Sequence, residues 1–224
     1  VEALLGIEGT AARAYFAAFA NLLRNTNEPL PRLDHEPTEK HAKPTTEQLE
    51  QHQSTQLDPH QPSPKLRLTF DWNGRNRRPP LDPVNALLSY AYSLLTRELT
   101  TAALATGLDP FLGFFHRPRY GRPALALDLM EEFRPILADS IVLSLINRRE
   151  LRNGHFVKRG KACNLTSHGK RVVIQAFERR IDTEIQHPIF GYAASYRRIV
   201  LIQMRLLLRT LQGEIPHYPP FRVR

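Results

Sequence analysis

Residues 124 to about 151 are apolar on almost every helical face, with Leu129, Phe133, Ile136, Leu137, Ile141 and Leu145 marking the deepest stripe. A helix that is apolar all round has no face to offer water, so it belongs at the centre, with other helices around it. Pro135 falls inside this run, where a ring without an N–H bends a helix or splits it. Amphipathic segments that can supply the surrounding helices lie on both sides. Glu8 to Leu23 carries Ala12, Tyr15, Phe16, Phe19, Leu22 and Leu23 at three-and-four spacing, and Val84 to Leu104 repeats the pattern. Gly107-Leu108-Asp109-Pro110 then closes the second segment, with Gly past the end and Pro soon after. Two more helices are expected over Gly169 to Gln186, with Ser167 as N-cap, and Tyr196 to Gln212, with Ser195 as N-cap and Gly213 as terminator. Leu66 to Trp72 and Ala162 to Leu165 read as short strands, and Asn73-Gly74 as a tight hairpin turn. No Gly-rich phosphate loop, internal repeat or strand–helix alternation is present. The expected class is mainly α, a helical bundle with at most a short β-hairpin.

One stretch breaks this pattern. From Asn25 to Pro64 the chain is rich in Pro, Thr, Gln, His and Glu, has no apolar period, and carries a net charge of −4. Such a composition cannot offset its ordering entropy by burial, so it reads as a disordered insert within a single 224-residue α-helical catalytic domain. Its His35, His41, His52 and His60 match no common metal spacing. The chain opens on Val1 in mid-pattern, without a signal-peptide pattern, as though cut from something longer. No apolar run is long enough for a membrane span, and the single Cys163 excludes an internal disulfide or a Cys-rich cluster. A reduced, cytoplasmic setting is expected.

The remaining charge points to a polyanion. Residues 65–224 carry a net +13, and 25 of the 31 basic residues of the chain are Arg. Arg forks favour phosphate and carboxylate, and a basic surface of this size suits nucleic acid. Arg enrichment from a GC-rich genome is the alternative.

Several polar residues interrupt the apolar patterns. Glu8 lies at the start of the first helix, where a carboxylate also suits the helix dipole. Gly113-Phe114-Phe115-His116 leads into a basic loop with Arg117, Arg119 and Arg122. On the next helix Asp128 and Glu131 share a face, with Glu132 close to it. Carboxylates beside an apolar stripe need a cation, either Arg134 or a divalent metal. One imidazole and two carboxylates suit Mn²⁺ or Mg²⁺ better than Zn²⁺. The alternative is a surface acidic patch with a capping His.

Three ordered blocks carry a resemblance. They are Leu5-Gly6-Ile7-Glu8-Gly9; Arg75-Asn76-Arg77-Arg78-Pro79-Pro80 with Asp82-Pro83-Val84-Asn85-Ala86-Leu87-Leu88-Ser89-Tyr90-Ala91-Tyr92; and Gly107-Leu108-Asp109-Pro110, Gly113-Phe114-Phe115-His116 and Leu127-Asp128-Leu129-Met130-Glu131 with Phe133-Arg134-Pro135. In this order the chain resembles the C-terminal helical catalytic domain of the CRISPR-associated spacer-acquisition integrase and endonuclease ("Cas-one"). Its second block is similar to variants fused behind the "Cas-four" nuclease.

The resemblance implies a metal-dependent DNA endonuclease/integrase that inserts short fragments into a CRISPR array by phosphodiester transesterification. It implies that Glu8, His116 and Glu131 hold Mg²⁺ or Mn²⁺, with Asp128 at or next to the metal. It implies double-stranded DNA, the small "Cas-two" subunit and "Cas-four" as partners, and a homodimer of the full-length protein. The family's N-terminal β domain is absent from this chain, and the segment between the first two blocks is longer than usual. Beside the metal His, Arg117, Arg119 and Arg122 are the candidate phosphate contacts at the reacting strand. Arg148, Arg149 and Arg152, with Lys158, Arg159 and Lys161, are candidates for tracking the duplex backbone. Tyr90 and Tyr92 read as core. A non-catalytic basic helical module that binds DNA or an acidic protein is the alternative function.

Overall fold

The computed structural model describes residues 2–23, 70, 72 and 74–222, all of which belong to one structural unit. The Pro-rich segment from Asn25 to Pro64 lies outside the described residues. Among the described residues six α-helices, α1 (Glu2–Leu22), α2 (Pro83–Ala105), α3 (Ala124–Phe133), α4 (Ser140–Asn147), α5 (Ser167–Ile181) and α6 (Tyr196–Leu211), form the body. Two antiparallel strand pairs accompany them: β1 (Phe156–Arg159) with β2 (Ala162–Leu165), and β3 (Glu184–Gln186) with β4 (Ala193–Ser195). The protein is therefore mainly α, as its apolar periods require.

The α2 helix starts where Asp82 accepts from the Asn85 backbone N–H at 2.8 Å and Pro83 supplies a preset φ. Its Leu87, Leu88, Leu95 and Leu99 are fully buried in one core with Leu125, Phe133 and Leu137. The long apolar run expected as one bent or split helix is instead α3 and α4 joined by a π-helical stretch, Arg134–Asp139. Pro135 explains the wider turn, because a ring without an N–H clashes with the carbonyl four residues back in a tight α-helix. The Ile136 carbonyl in that stretch accepts from Arg180 Nε at 3.1 Å and from the Ser140 hydroxyl.

Two local expectations are corrected, and a third lies mostly outside the described residues. Thr166, not Ser167, caps α5, its hydroxyl accepting from the Gly169 N–H at 3.1 Å, and Ser167 is the first helical residue. The α5 helix ends at Ile181, and residues 184–186 pair as β3 instead of continuing to Gln186. Of the Leu66 to Trp72 run only Phe70 and Trp72 are described, and neither lies in a strand. Their rings pack on other elements. Trp72 stacks on Phe16 at 5.8 Å and lies 5.3 Å from Phe19, and Phe70 meets Phe156 edge-on at 5.6 Å. Of the expected turn Asp71 and Asn73 lie outside the described residues, and residues 74–82 contain no strand. Ser195 caps α6 as expected, accepting from the Arg198 N–H at 3.3 Å, and Ala162–Leu165 is a strand as expected. Among the described residues no helix is long and apolar enough to cross a membrane.

Candidate functional site

The site is built on α3 and the loop that precedes it. Gly113 admits no side chain, because a Cβ there would lie 2.7 Å from Ala124 Cβ and 2.9 Å from an Asp128 oxygen. That close approach brings the loop backbone onto the α3 carboxylate. Asp128 Oδ2 accepts from the Phe114 and Phe115 N–H groups at 2.6 and 3.1 Å. Its Oδ1 accepts from the His116 N–H at 2.9 Å and lies 2.7 Å from His116 Nδ1. A carboxylate can only accept, so Nδ1 carries a proton, and in the neutral ring the Nε2 lone pair is left for a ligand. The side chain of Asp128 is only 7% exposed, whereas that of His116 is 25% exposed. A carboxylate behind a ring N–H is the arrangement that fixes tautomer and orientation in metal-binding histidines.

Glu131 lies one turn further along the same helix. Burial pushes its carboxyl above the usual range, and the negative charge of Glu8 adds to that. Arg134, His116 and Arg77 oppose the shift. Glu8 on α1, His116 on the loop and Glu131 on α3 thus act electrostatically on one site, although more than a hundred residues separate the first from the other two. Glu8 is exposed on the helix surface. Glu131 is bound to Arg134, with Nη1 to Oε2 at 2.6 Å. Among the described residues no three His, Cys, Asp or Glu side chains converge closely enough to hold an ion as placed. The donor chemistry nevertheless fits Mg²⁺ or Mn²⁺. Glu131 is a half-buried carboxylate with the negative charge of Glu8 acting on it, and a hard cation would relieve both.

Glu132 turns away from this site. It accepts from the Tyr218 hydroxyl at 2.6 Å, from Gln203 Nε2 at 3.2 Å and from the Phe221 N–H, and so straps the C-terminal segment to the core. The expectation that it lies close to the Asp128 face is thus corrected, since the C-terminal donors claim its carboxylate.

The other candidate residues fall on two surfaces. Arg117 and Arg119 are exposed beside His116, and Arg122 is half-buried. The Arg119 carbonyl accepts from the Arg122 N–H at 3.0 Å across a turn in which Gly121 has φ 66°. Tyr120 at the tip is fully exposed, and Phe114 and Phe115 are about half exposed. Arg148 is the C-cap of α4 and Arg149 follows it with φ 57°, at the helix end where cations suit the dipole. Arg148 also lines a groove of about 360 Å³ with Ser144, Arg179 and Arg180. Arg152 precedes a short 3₁₀ turn, and Lys158, Arg159 and Lys161 are exposed on the β1–β2 hairpin.

Behind Glu131 lies a buried polar cluster that the sequence patterns did not reveal. Asp139 is fully buried and accepts from the Tyr15 and Tyr92 hydroxyls, each at 2.6 Å. Burial raises its pKa, and the tyrosine hydrogen bonds oppose that. Tyr92 is therefore half-buried packing with a polar role. The Arg-Asn-Arg-Arg block is folded onto α2 by Asn85. That side chain is wholly buried, accepts from Arg75 Nη1 at 2.7 Å and donates to the Gly74 carbonyl at 2.9 Å. The visible signal was a lone carboxylate and a lone amide, each inside an apolar helical run.

The CRISPR-associated protein Cas1 family model matches residues 63–179. The chain is 48% identical over its whole length to a CRISPR-associated exonuclease Cas4/endonuclease Cas1 fusion of Geobacter sulfurreducens, of which it spans 34%. It is 42% identical over 223 residues to a CRISPR-associated endonuclease Cas1 of Thermus thermophilus, of which it spans 54%. The chain thus covers between a third and about half of the length of these relatives. Among solved structures its fold is similar to a casposase bound to integration product, with TM-score 0.71, 23% identity, and 98% of this chain and 54% of that one covered. It is also similar to a chain of a Cas6-RT-Cas1–Cas2 complex, with TM-score 0.67, 20% identity, and 99% and 19% covered.

Proposed function

The chain belongs to the Cas1 family of CRISPR-associated proteins, and from that premise we propose that it is the helical catalytic part of a divalent-metal-dependent DNA endonuclease and integrase. One observation carries the reading: Asp128 engages His116 at Nδ1, which leaves Nε2 for a ligand, and the charges of His116 and Glu8 both act on Glu131. Relatives named as endonucleases, and the fold shared with a casposase bound to integration product, support the same class of reaction.

Glu8, His116 and Glu131 would hold Mg²⁺ or Mn²⁺, and Asp128 would orient His116 from behind. The ion, when bound, would polarise a phosphoryl oxygen and stabilise charge that develops there. Arg117 and Arg119 would grip phosphates of the reacting strand, with Arg122 supporting the turn between them. A 3′-hydroxyl as attacking group gives insertion of a short duplex into a CRISPR array, and water in its place gives cleavage. The basic end of α4 and the β1–β2 hairpin would track duplex backbone without reading bases. Double-stranded DNA is the substrate of this reading. The small Cas2 subunit and the Cas4 nuclease are its partners, on the strength of the fusion relative and of the Cas1–Cas2 complex that shares the fold, and the family resemblance adds a second Cas1 copy in the full-length protein.

The test is a set of single changes, Glu8→Ala, His116→Ala and Glu131→Ala, in the full-length protein that carries this chain. Each should abolish Mn²⁺-dependent cleavage and integration while the circular dichroism spectrum stays unchanged. Full activity in Glu131→Ala would overturn the ligand set.

A further inference from the structure

We infer that Arg134 is a place-holding cation: its guanidinium sits in for the divalent ion at Glu131 and must release that carboxylate when the ion binds. The inference rests on the reading of Glu131 as a metal ligand.

Glu131 is a half-buried carboxylate on α3, and a half-buried carboxylate favours a cation beside it whether or not an ion is bound. The group in place is Arg134, whose Nη1 is 2.6 Å from Glu131 Oε2 and whose side chain is only 12% exposed. It is held from behind as well. The Tyr15 and Phe16 rings of α1 lie 5.5 and 5.6 Å from its guanidinium carbon, within cation–π range. Asp139 Oδ2 is 3.8 Å from its Nε and is itself fixed by the hydroxyls of Tyr15 and Tyr92.

This seat does not satisfy all the donors of Arg134. Its Nε is buried without a hydrogen-bond partner, and 3.8 Å is too long for one. A guanidinium that served only as a structural brace would use its fork fully, because an unmade buried hydrogen bond is costly. Here Nη1 is spent on Glu131 while Nε goes without a partner. The π-helical turn that starts at Arg134 carries Asp139 at its other end, so one backbone irregularity sets both the cation and its counter-ion.

The consequence is competition. An incoming ion and Arg134 claim the same carboxylate, so Arg134 weakens metal binding while it keeps the metal-free site from electrostatic strain. The tether is covalent and three residues long, so the displaced guanidinium stays beside the site.

The experiment is Mn²⁺ titration of the intact protein, followed by the electron paramagnetic resonance signal of free Mn²⁺ and by calorimetry. Arg134→Gln should bind Mn²⁺ on the order of ten-fold more tightly than wild type. Glu131→Gln should bind it at least ten-fold more weakly. The double variant should bind no more tightly than Glu131→Gln alone, because the competition runs through that carboxylate. Unchanged or weaker binding in Arg134→Gln, with Glu131→Gln still weakened, would overturn the inference and leave the ligand set standing. No change in Glu131→Gln or His116→Ala would overturn both. A second measurement needs no variant. In wild-type protein with ¹⁵N-labelled arginine, Mg²⁺ should speed the side-chain N–H exchange of Arg134, and an unaltered exchange rate at saturating Mg²⁺ would overturn the inference.

Discussion

Asp128 binds His116 twice, through the backbone N–H at 2.9 Å and at the ring Nδ1 at 2.7 Å, with one carboxylate oxygen. Its other oxygen binds the two preceding amides, so a single side chain sets both the loop and the tautomer. Replacing it with Asn puts a donor where an acceptor is needed. Asp128→Asn should lower Mn²⁺ affinity by about 10- to 100-fold, as loss of a partner behind a ligand does. Calorimetric titration checks this, and the helix content should not change.

Gly113→Ala should act on the same loop from the backbone side. The added methyl meets the backbone and Cβ of Ala124 and the Asp128 oxygen at once, and the backbone there has little room to yield. A cost of about 1–3 kcal/mol in urea unfolding is expected, as for overpacking elsewhere. Metal-dependent activity should fall further than the stability loss accounts for, because His116 moves with the loop.

The Arg117, Arg119 and Arg122 loop should show itself in salt dependence. Each phosphate neutralised contributes about −0.9 to the log–log slope of binding against salt. Changing all three to Ala should flatten the slope by about one unit for each phosphate left without its arginine, with little effect on Mn²⁺ affinity. Titration of a labelled duplex at several salt concentrations measures it. An unchanged slope would remove the loop from the DNA surface.

Burial raises the Glu132 carboxyl above its ordinary value, against hydrogen bonds from Tyr218, Phe221 and Gln203. A carboxyl with a raised folded-state pKa binds its proton more tightly in the fold than in the unfolded chain. Its contribution is therefore fully present below the ordinary value and is lost as pH rises through the folded one. Wild-type stability measured relative to Glu132→Gln should fall with rising pH over that window and level off above it. Urea unfolding of both proteins from below the ordinary carboxylate range up to neutral pH gives the comparison, and a rise would contradict the shift.

Replacing Asn25 to Pro64 with a short Gly-Ser linker should leave the melting temperature almost unchanged. Loop closure entropy changes by only about 0.6 kcal/mol per doubling of length. A large drop by scanning calorimetry would show that the segment packs on the helices.

Helical periods are local, and so the mainly α class, the central position of the Ala124 run and the cap at Ser195 follow from neighbours a few residues apart. So does the shared face of Asp128 and Glu131. Local pattern also marks Pro135 as a fault in the helix, but not that the fault is a π-helical turn whose Ile136 carbonyl is taken by Arg180 from α5. The β3 and β4 strands stay hidden for a similar reason: three residues carry too little pattern, and only pairing makes them strands. At the site, the resemblance carried by the ordered blocks points to Glu8, His116 and Glu131, but their mutual influence is a matter of distance between separate segments. Tertiary structure alone decides that Asp128 faces the His116 ring, that Glu132 belongs to the C-terminal strap, and that Arg134 sits on Glu131 with Asp139 behind it. A carboxylate takes whatever donors packing brings within about 3 Å, and no spacing along the chain records which donors those are.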